Sequence, residues 1–139
     1  MTLRVALVLG LVLVPSGLSA APEPPGPKVP AQPAKERVDA ARKAFEGYWR
    51  MLRHGTGGTR GDPETIYVWS RRWMEAQQAL SNDKAATRAA VHAHLDRMKE
   101  LEKVFASLAR AQQGTQADAD AGRYYRAEAE VWLSQVKGK

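Results

Sequence analysis

Nucleophilic catalysis needs a serine, threonine or cysteine within hydrogen-bonding reach of a base. This 139-residue chain has no cysteine and three histidines, His54, His92 and His94. His92 and His94 stand two apart, about 200° around a helix, so a helical backbone points them away from each other. His92 and Asp96, four apart, share a face, but two ligands do not close a metal site. His54 falls at the end of a helical stretch, where a partly charged imidazole suits the dipole. All three read as solvated or capping groups, and no metal ligand is predicted. Ser70, Ser81, Ser107 and Ser134 lie on or at the ends of helical stretches, outside any G-x-S-x-G, and H-E-x-x-H is absent. The acid pairs Glu100/Glu102 and Glu128/Glu130 are two apart and diverge. No catalytic residue and no cofactor is therefore expected, and the chain reads as non-enzymatic. The enzyme alternative is a site assembled across helices, which spacing alone does not reveal.

Binding is the other chemistry on offer. "YVWSRRWMEA" (Tyr67 to Ala76) places two tryptophans and two arginines in ten residues. Arg71 and Arg72, with Arg50 and Arg53, are the candidate binding residues, since guanidinium groups suit the phosphates of a polyanion such as a cell-wall polymer or lipopolysaccharide. The tryptophans read differently. Ile66, Trp69, Trp73, Ala76 and Leu80 recur at steps of three and four, which predicts a buried stripe with Arg71 and Arg72 on its flanks. Phe45, Trp49, Phe105, Tyr125 and Trp132 fall on similar stripes, so these seven aromatics are the predicted core aromatics.

Four helices must position these groups. The first is predicted over 35–53, with Val38, Ala41, Phe45, Trp49 and Leu52 inward and Gly55 as its stop. "GTGGTRGDP" (Gly55 to Pro63) is a flexible loop. It is not a phosphate cradle, because Arg60 stands where a P-loop needs its second glycine. Asp62 as cap, Pro63 at the first helical position and Glu64 near the positive dipole end open a second helix over 63–80. "SND" (Ser81 to Asp83) either caps a third helix over 83–112 or kinks one long helix. Val91, Leu95, Met98, Leu101, Phe105 and Leu108 form its inward stripe, and Gly114 its stop. Thr115 and Asp118 resemble a capping box before a fourth helix over 116–136, with Ala117, Ala121, Tyr125, Ala129, Trp132 and Val136 on one face. No stretch alternates with period two, so the fold class is all-α, an antiparallel four-helix bundle with heptad-like, coiled-coil-style stripes. The two halves share a faint repeat, Phe45…Gly55…"EAQQAL" against Phe105…Gly114…"EAEVWL".

The helical domain (35–139) follows two segments of other character. Arg4, the ten apolar residues "VALVLGLVLV" and the small residues of "PSGLSAA" have the pattern of a secretory signal peptide over 1–20. Its apolar run spans about 15 Å, half a bilayer core, so no stable transmembrane anchor is expected. Without cysteine there is no lipoprotein anchor. The protein is expected to be exported, periplasmic or secreted. "PEPPGPKVPAQP" has six prolines in twelve residues, which predicts a proline-rich disordered linker over 21–34. Removal of Arg4 lowers the net charge from +6 to +5, and the remaining cations are interspersed with acids. That pattern suits solubility and excludes a nucleic-acid footprint.

The second hairpin, "LEKVFASLARAQQGTQADADAGRYYRAEAEVWLSQVKG" (Leu101 to Gly138), resembles a segment of TolC-type outer-membrane efflux proteins. Gly114, Thr115, Asp118, Ala121, Arg126, Glu128, Ala129 and Leu133 carry the likeness over about a quarter of the chain. The chain is too short and lacks the barrel strands of an efflux channel, so the resemblance implies at most an efflux- or secretion-associated envelope role. "WSRRWMEAQ" and "YYRAEAE" are also similar to stretches of small exported helical proteins of bacteria, a likeness that implies no activity. The expected function is a non-catalytic helical interaction module of the bacterial cell envelope, partnered by a helical envelope protein or by itself. The polyanion binder is the alternative. A third helix of about 30 residues outruns a neighbour of about 18 by at least 15 Å, which would leave its end, with Leu101, Val104, Tyr124 and Trp132, open for docking.

Overall fold

The computed structural model describes residues 31–55 and 61–137. The expected signal peptide, residues 21–30 of the proline-rich segment and the middle of the glycine-rich loop lie outside the described residues, whereas 31–34, expected as disordered linker, are helical. Among the described residues the chain folds as four helices, α1 (Ala31–His54), α2 (Pro63–Ala79), α3 (Lys84–Arg110) and α4 (Gln116–Lys137), with no strand. Fold class and helix count match the periodicity, and all ends but one fall within two residues of expectation. The exception is the start of α1, four residues early. Pro33 sits in its first turn, where a missing N–H costs no hydrogen bond, and Ala34 is already buried. No helix among the described residues is long and apolar enough to cross a membrane.

Helix starts follow from side-chain caps. Asp62 is extended and its carboxylate accepts from the Thr65 N–H at 2.8 Å, with Pro63 inside the helix. Asp83 accepts from the N–H groups of Ala85 and Ala86, so α2 and α3 are separate helices joined by a tight turn. At α4 the capping box forms: Asp118 N–H donates to Thr115 Oγ1 at 3.1 Å, and Thr115 N–H donates to Asp118 Oδ2 at 3.3 Å. The end of α3 departs from expectation. The residue in the left-handed region is Gln112 (φ 57°), two before Gly114. Gln113 N–H reaches Leu108 O at 2.9 Å and Gln112 N–H reaches Ala109 O at 3.0 Å, the hydrogen bonds of a left-handed C-terminal cap.

The helices pack in chain order, α1 on α2, α2 on α3 and α3 on α4, with a smaller contact between α2 and α4. The pairings Phe45–Trp73 and Tyr48–Trp69 run α1 against α2 antiparallel. Tyr67–Tyr125 and Arg71–Trp132 set α2 parallel to α4. The α3–α4 pair is the closest. A Cβ on buried Gly122 would lie 3.1 Å from the Glu102 Cα, so the two backbones meet there, beside the Arg126 Nε–Glu102 ion pair at 3.0 Å.

Two stripes are displaced from the predicted ones, for one reason. In α2, Pro63, Ile66, Tyr67, Ser70, Met74 and Ala76 are buried. Trp69 and Trp73 are only partly buried, and Leu80 is 45% exposed. In α4 the buried positions are Ala119, Gly122, Ala129 and Leu133, whereas Ala117 is exposed and Tyr125, Trp132 and Val136 are partly buried. Both helices touch more than one neighbour. The predicted stripes trace the aromatic-bearing side of each, α1-facing in α2 and α2-facing in α4. In α3 the prediction holds for Val91, Leu95, Met98, Leu101 and Phe105, with Leu108 partly buried. Phe45 and Phe105 are core residues, and Trp49 packs partly buried against the core. At 24 residues α1 leaves less of the 27-residue α3 beyond its neighbours than expected. Leu101 is fully covered, while Tyr124 is 62% exposed.

A left-handed glutamine carries a backbone strain that glycine lacks. Gln112→Gly should therefore stabilise the fold by about 0.5–1 kcal/mol, read as a higher urea midpoint at unchanged slope. A lower midpoint would show that the glutamine side chain contributes more than the strain costs.

Candidate functional site

The largest concentration of perturbed polar groups lies where α2 meets α3 and α4. Ser70 and His94 are both 0% exposed. Ser70 Oγ lies 2.8 Å from His94 Nδ1. Arg97 Nε donates to Ser70 Oγ at 2.7 Å, and its Nη2 donates to the Ser70 carbonyl at 3.3 Å. A guanidinium only donates, so the serine oxygen accepts from Arg97 with one lone pair and keeps its second lone pair and its proton for the contact with His94 Nδ1. His94 Nε2 is buried without a hydrogen-bond partner.

Aromatic rings close the site. The Arg97 guanidinium carbon lies 4.2 Å from the centroid of Trp73 and 5.5 Å from that of Phe45. The rings' negative faces offset part of the cost of burying the charge. The His94 ring stacks on Trp132 at 5.5 Å and tilts against Tyr67 at 6.0 Å. Tyr67 stacks on Tyr125 at 4.1 Å and donates its hydroxyl to Glu128 at 2.5 Å.

These surroundings fix protonation. Burial first, then the charges of Arg97 and Arg71, push His94 down to about 3, against a weaker opposing effect of Ser70. It is neutral near pH 7. Burial lowers Arg97 to about 10, with Asp96 opposing, so the guanidinium keeps its charge. Burial and the bond to Glu128 raise Tyr67 to about 12.

His94 corrects the reading of all three histidines as solvated or capping groups. His92 fits that reading, exposed and 3.0 Å from Asp96, and His54 is exposed at the end of α1. No group of three potential metal ligands gathers among the described residues. A serine–histidine pair at 2.8 Å is the start of a nucleophilic arrangement. Here, however, both partners are sealed, Trp132 covers the imidazole and Arg97 occupies the serine oxygen. In this geometry the triad joins helices. One signal in the sequence marks His94: it stands three after Val91 and four before Met98, inside the apolar stripe of α3. Ser70 likewise stands four from both Ile66 and Met74.

The four candidate arginines do not share a groove. Arg53 lies over Trp49 at 5.3 Å and, with Phe45, Asp96, Arg97 and Glu100, lines a groove of about 260 Å³ between α1 and α3. Arg71 is paired with Glu75 at 2.7 Å and borders a different groove, of about 330 Å³, that Trp132 and Val91 also line. Arg72 lies over Trp69 at 4.6 Å, and Arg50 is exposed on α1. No protein-family model matches the chain, and neither a curated protein nor a solved structure is found similar to it. The likeness of Leu101–Gly138 to a TolC-type segment therefore rests on the quoted residues alone.

The depressed His94 gives a direction to acid unfolding. In the unfolded chain the imidazole takes up a proton below about 6.5, whereas in the fold it stays neutral down to about 3. The unfolded state thus binds more protons in this window, and stability falls as pH drops. The loss should reach about 2–3 kcal/mol between pH 6.5 and 4.5. Urea unfolding of His94→Asn beside the parent chain checks it, with a markedly flatter dependence expected in the variant.

Proposed function

We propose that the chain is an exported, non-catalytic helical module whose α1–α2 hairpin binds an amphipathic helix of an envelope protein. One observation carries this reading: an arginine–aromatic face on the outer helix remains open to solvent. Tyr48 stacks on Trp69 at 6.5 Å, Arg72 lies over Trp69, and Met51 is 46% exposed. Beside them a shallow groove of about 420 Å³ is lined by Lys43, Ala44, Gly47, Tyr48 and Met51. Nothing lies within 4 Å of a Cβ placed on Gly47. Its small residues let another helix approach closely, and α1 itself packs chiefly on α2.

Tyrosine, tryptophan, methionine and arginine are the residue types that carry most binding energy at protein interfaces. The cations bordering this face, Lys43 and Arg50 on α1 and Arg72 on α2, favour a partner helix whose apolar stripe is flanked by acids. Arg71 lies off this face, tied to Glu75. Arg53 borders a third groove, and this dispersal favours the reading over a polyanion clamp, which needs all four arginines convergent. The export pattern of the first twenty residues and the TolC-like style of the second hairpin motivate the envelope as its setting.

A photo-reactive residue at Met51 in the exported protein tests the interface. It should yield one discrete adduct, identified by mass spectrometry as a helical protein. The adduct should persist at about 0.5 M salt, where exposed charges are screened within a few ångströms, and be lost with Gly47→Leu. The same residue at exposed Arg123 on α4 should give none. Equal labelling from both positions, or labelling that vanishes in salt, would contradict the proposal.

A further inference from the structure

We infer that the α2–α3 turn is a hinge through which two copies of the chain exchange their α3–α4 hairpins. The inference rests on the turn and on the seam it closes, and does not depend on whether the α1–α2 face serves a partner.

The three connections of the fold are built differently. Four glycines lie between Gly55 and Gly61, and α3 ends on the left-handed Gln112 followed by Gly114. Both are helix stops. The α2–α3 connection, Leu80 to Asp83, has neither glycine nor proline. Leu80 is still helical (φ −75°, ψ −24°), and its N–H and that of Ser81 bond back to Gln77 and Gln78 at 3.2 and 3.4 Å. At Asp83 φ is −74°, a helical value, and only ψ (127°) is extended. What holds the break is the Asp83 side chain, which caps α3, with Ser81 Oγ accepting from the Asp83 N–H at 3.1 Å. Rotating a few backbone angles of ordinary residues would join α2 and α3 into one helix over 63–110, about 70 Å long.

In such a helix the two hairpins stand at opposite ends and no longer meet. The surfaces they part are not simple apolar faces. Ser70 would leave Arg97 and His94, and Tyr67 would leave Glu128. Parting also exposes to water the apolar and aromatic side chains packed around these groups, which is unfavourable. The same contacts are remade in full only against the seam of a second, likewise extended copy, related by a two-fold axis. Leu80, 45% exposed at the turn, is a large apolar side chain that the crossing of two such helices can cover. The polar seam thus selects the partner, a copy of this chain, while the turn supplies the freedom.

The absence of cysteine allows a direct test in the full chain. Arg71 on α2 and Gln135 on α4 line one groove across the seam. Arg71→Cys with Gln135→Cys, treated with a short bismaleimide, reports whether the seam lies within or between chains. Protein concentrated to about 1 mM and then separated by size should contain a dimer whose cross-link joins two chains on a denaturing gel, while the monomer fraction cross-links internally. Asn82→Ala with Asp83→Ala should raise the dimer association constant about tenfold or more. Inserting two glycines after Ser81 should lower it by a similar factor. A parent-turn dimer that cross-links only within each chain, or a parent-turn chain wholly monomeric at that concentration, would overturn the inference.

Discussion

A guanidinium drawn partly out of water must find hydrogen-bond acceptors and a polarisable surround, and Arg97 finds them on two neighbouring helices. The carbonyl and hydroxyl of Ser70 come from α2, as does the face of Trp73, and the ring of Phe45 comes from α1. Arg97 itself belongs to α3. Moving α2 or α3 by a turn would part the guanidinium from both Ser70 acceptors, and moving α1 would remove the Phe45 ring. Arg97 is hydrogen-bonded to Ser70, Ser70 in turn to His94, and Trp132 of α4 stacks on the His94 ring. Through this chain of contacts one partly buried cation bears on the placement of all four helices. The surrounding apolar core would tolerate other registers far more readily.

Much of this architecture was legible in the residues. Asp62–Pro63 and Thr115–Asp118 announce helix starts because capping is local chemistry, and the structure forms both. The stripe of α3 was legible as well, with only Leu108 less covered than expected. Periodicity misjudged α2 and α4 because each has two buried sides, and in each the aromatic residues mark the less deeply buried one. Gly114 looked like the stop of α3, yet the left-handed turn falls at Gln112.

The site was the least legible part. Ser70 and His94 are 24 residues apart and Ser70 and Arg97 are 27 apart, so no local spacing connects them. Composition also misleads: a histidine among alanines and an arginine beside Asp96 look like solvated groups. Only the position of His94 within the apolar stripe hinted at its burial. Arg71 and Arg72 drew attention as a pair, but the helix sends one toward Trp132 and the other toward Trp69. The consequence for function is a division of labour. Polar chemistry inside the fold joins the two hairpins, and recognition is the role we propose for the aromatic face of α1 and α2.

The central claim is that Arg97 and Ser70 act as one unit in joining the hairpins. A double-mutant cycle on urea unfolding measures this most directly, with Ser70→Ala, Arg97→Met and the double variant compared with the parent. The account predicts that the two losses are not additive, with a coupling of about 1–2 kcal/mol. Losses that add to within about 0.3 kcal/mol would contradict it, since independent sites behave that way.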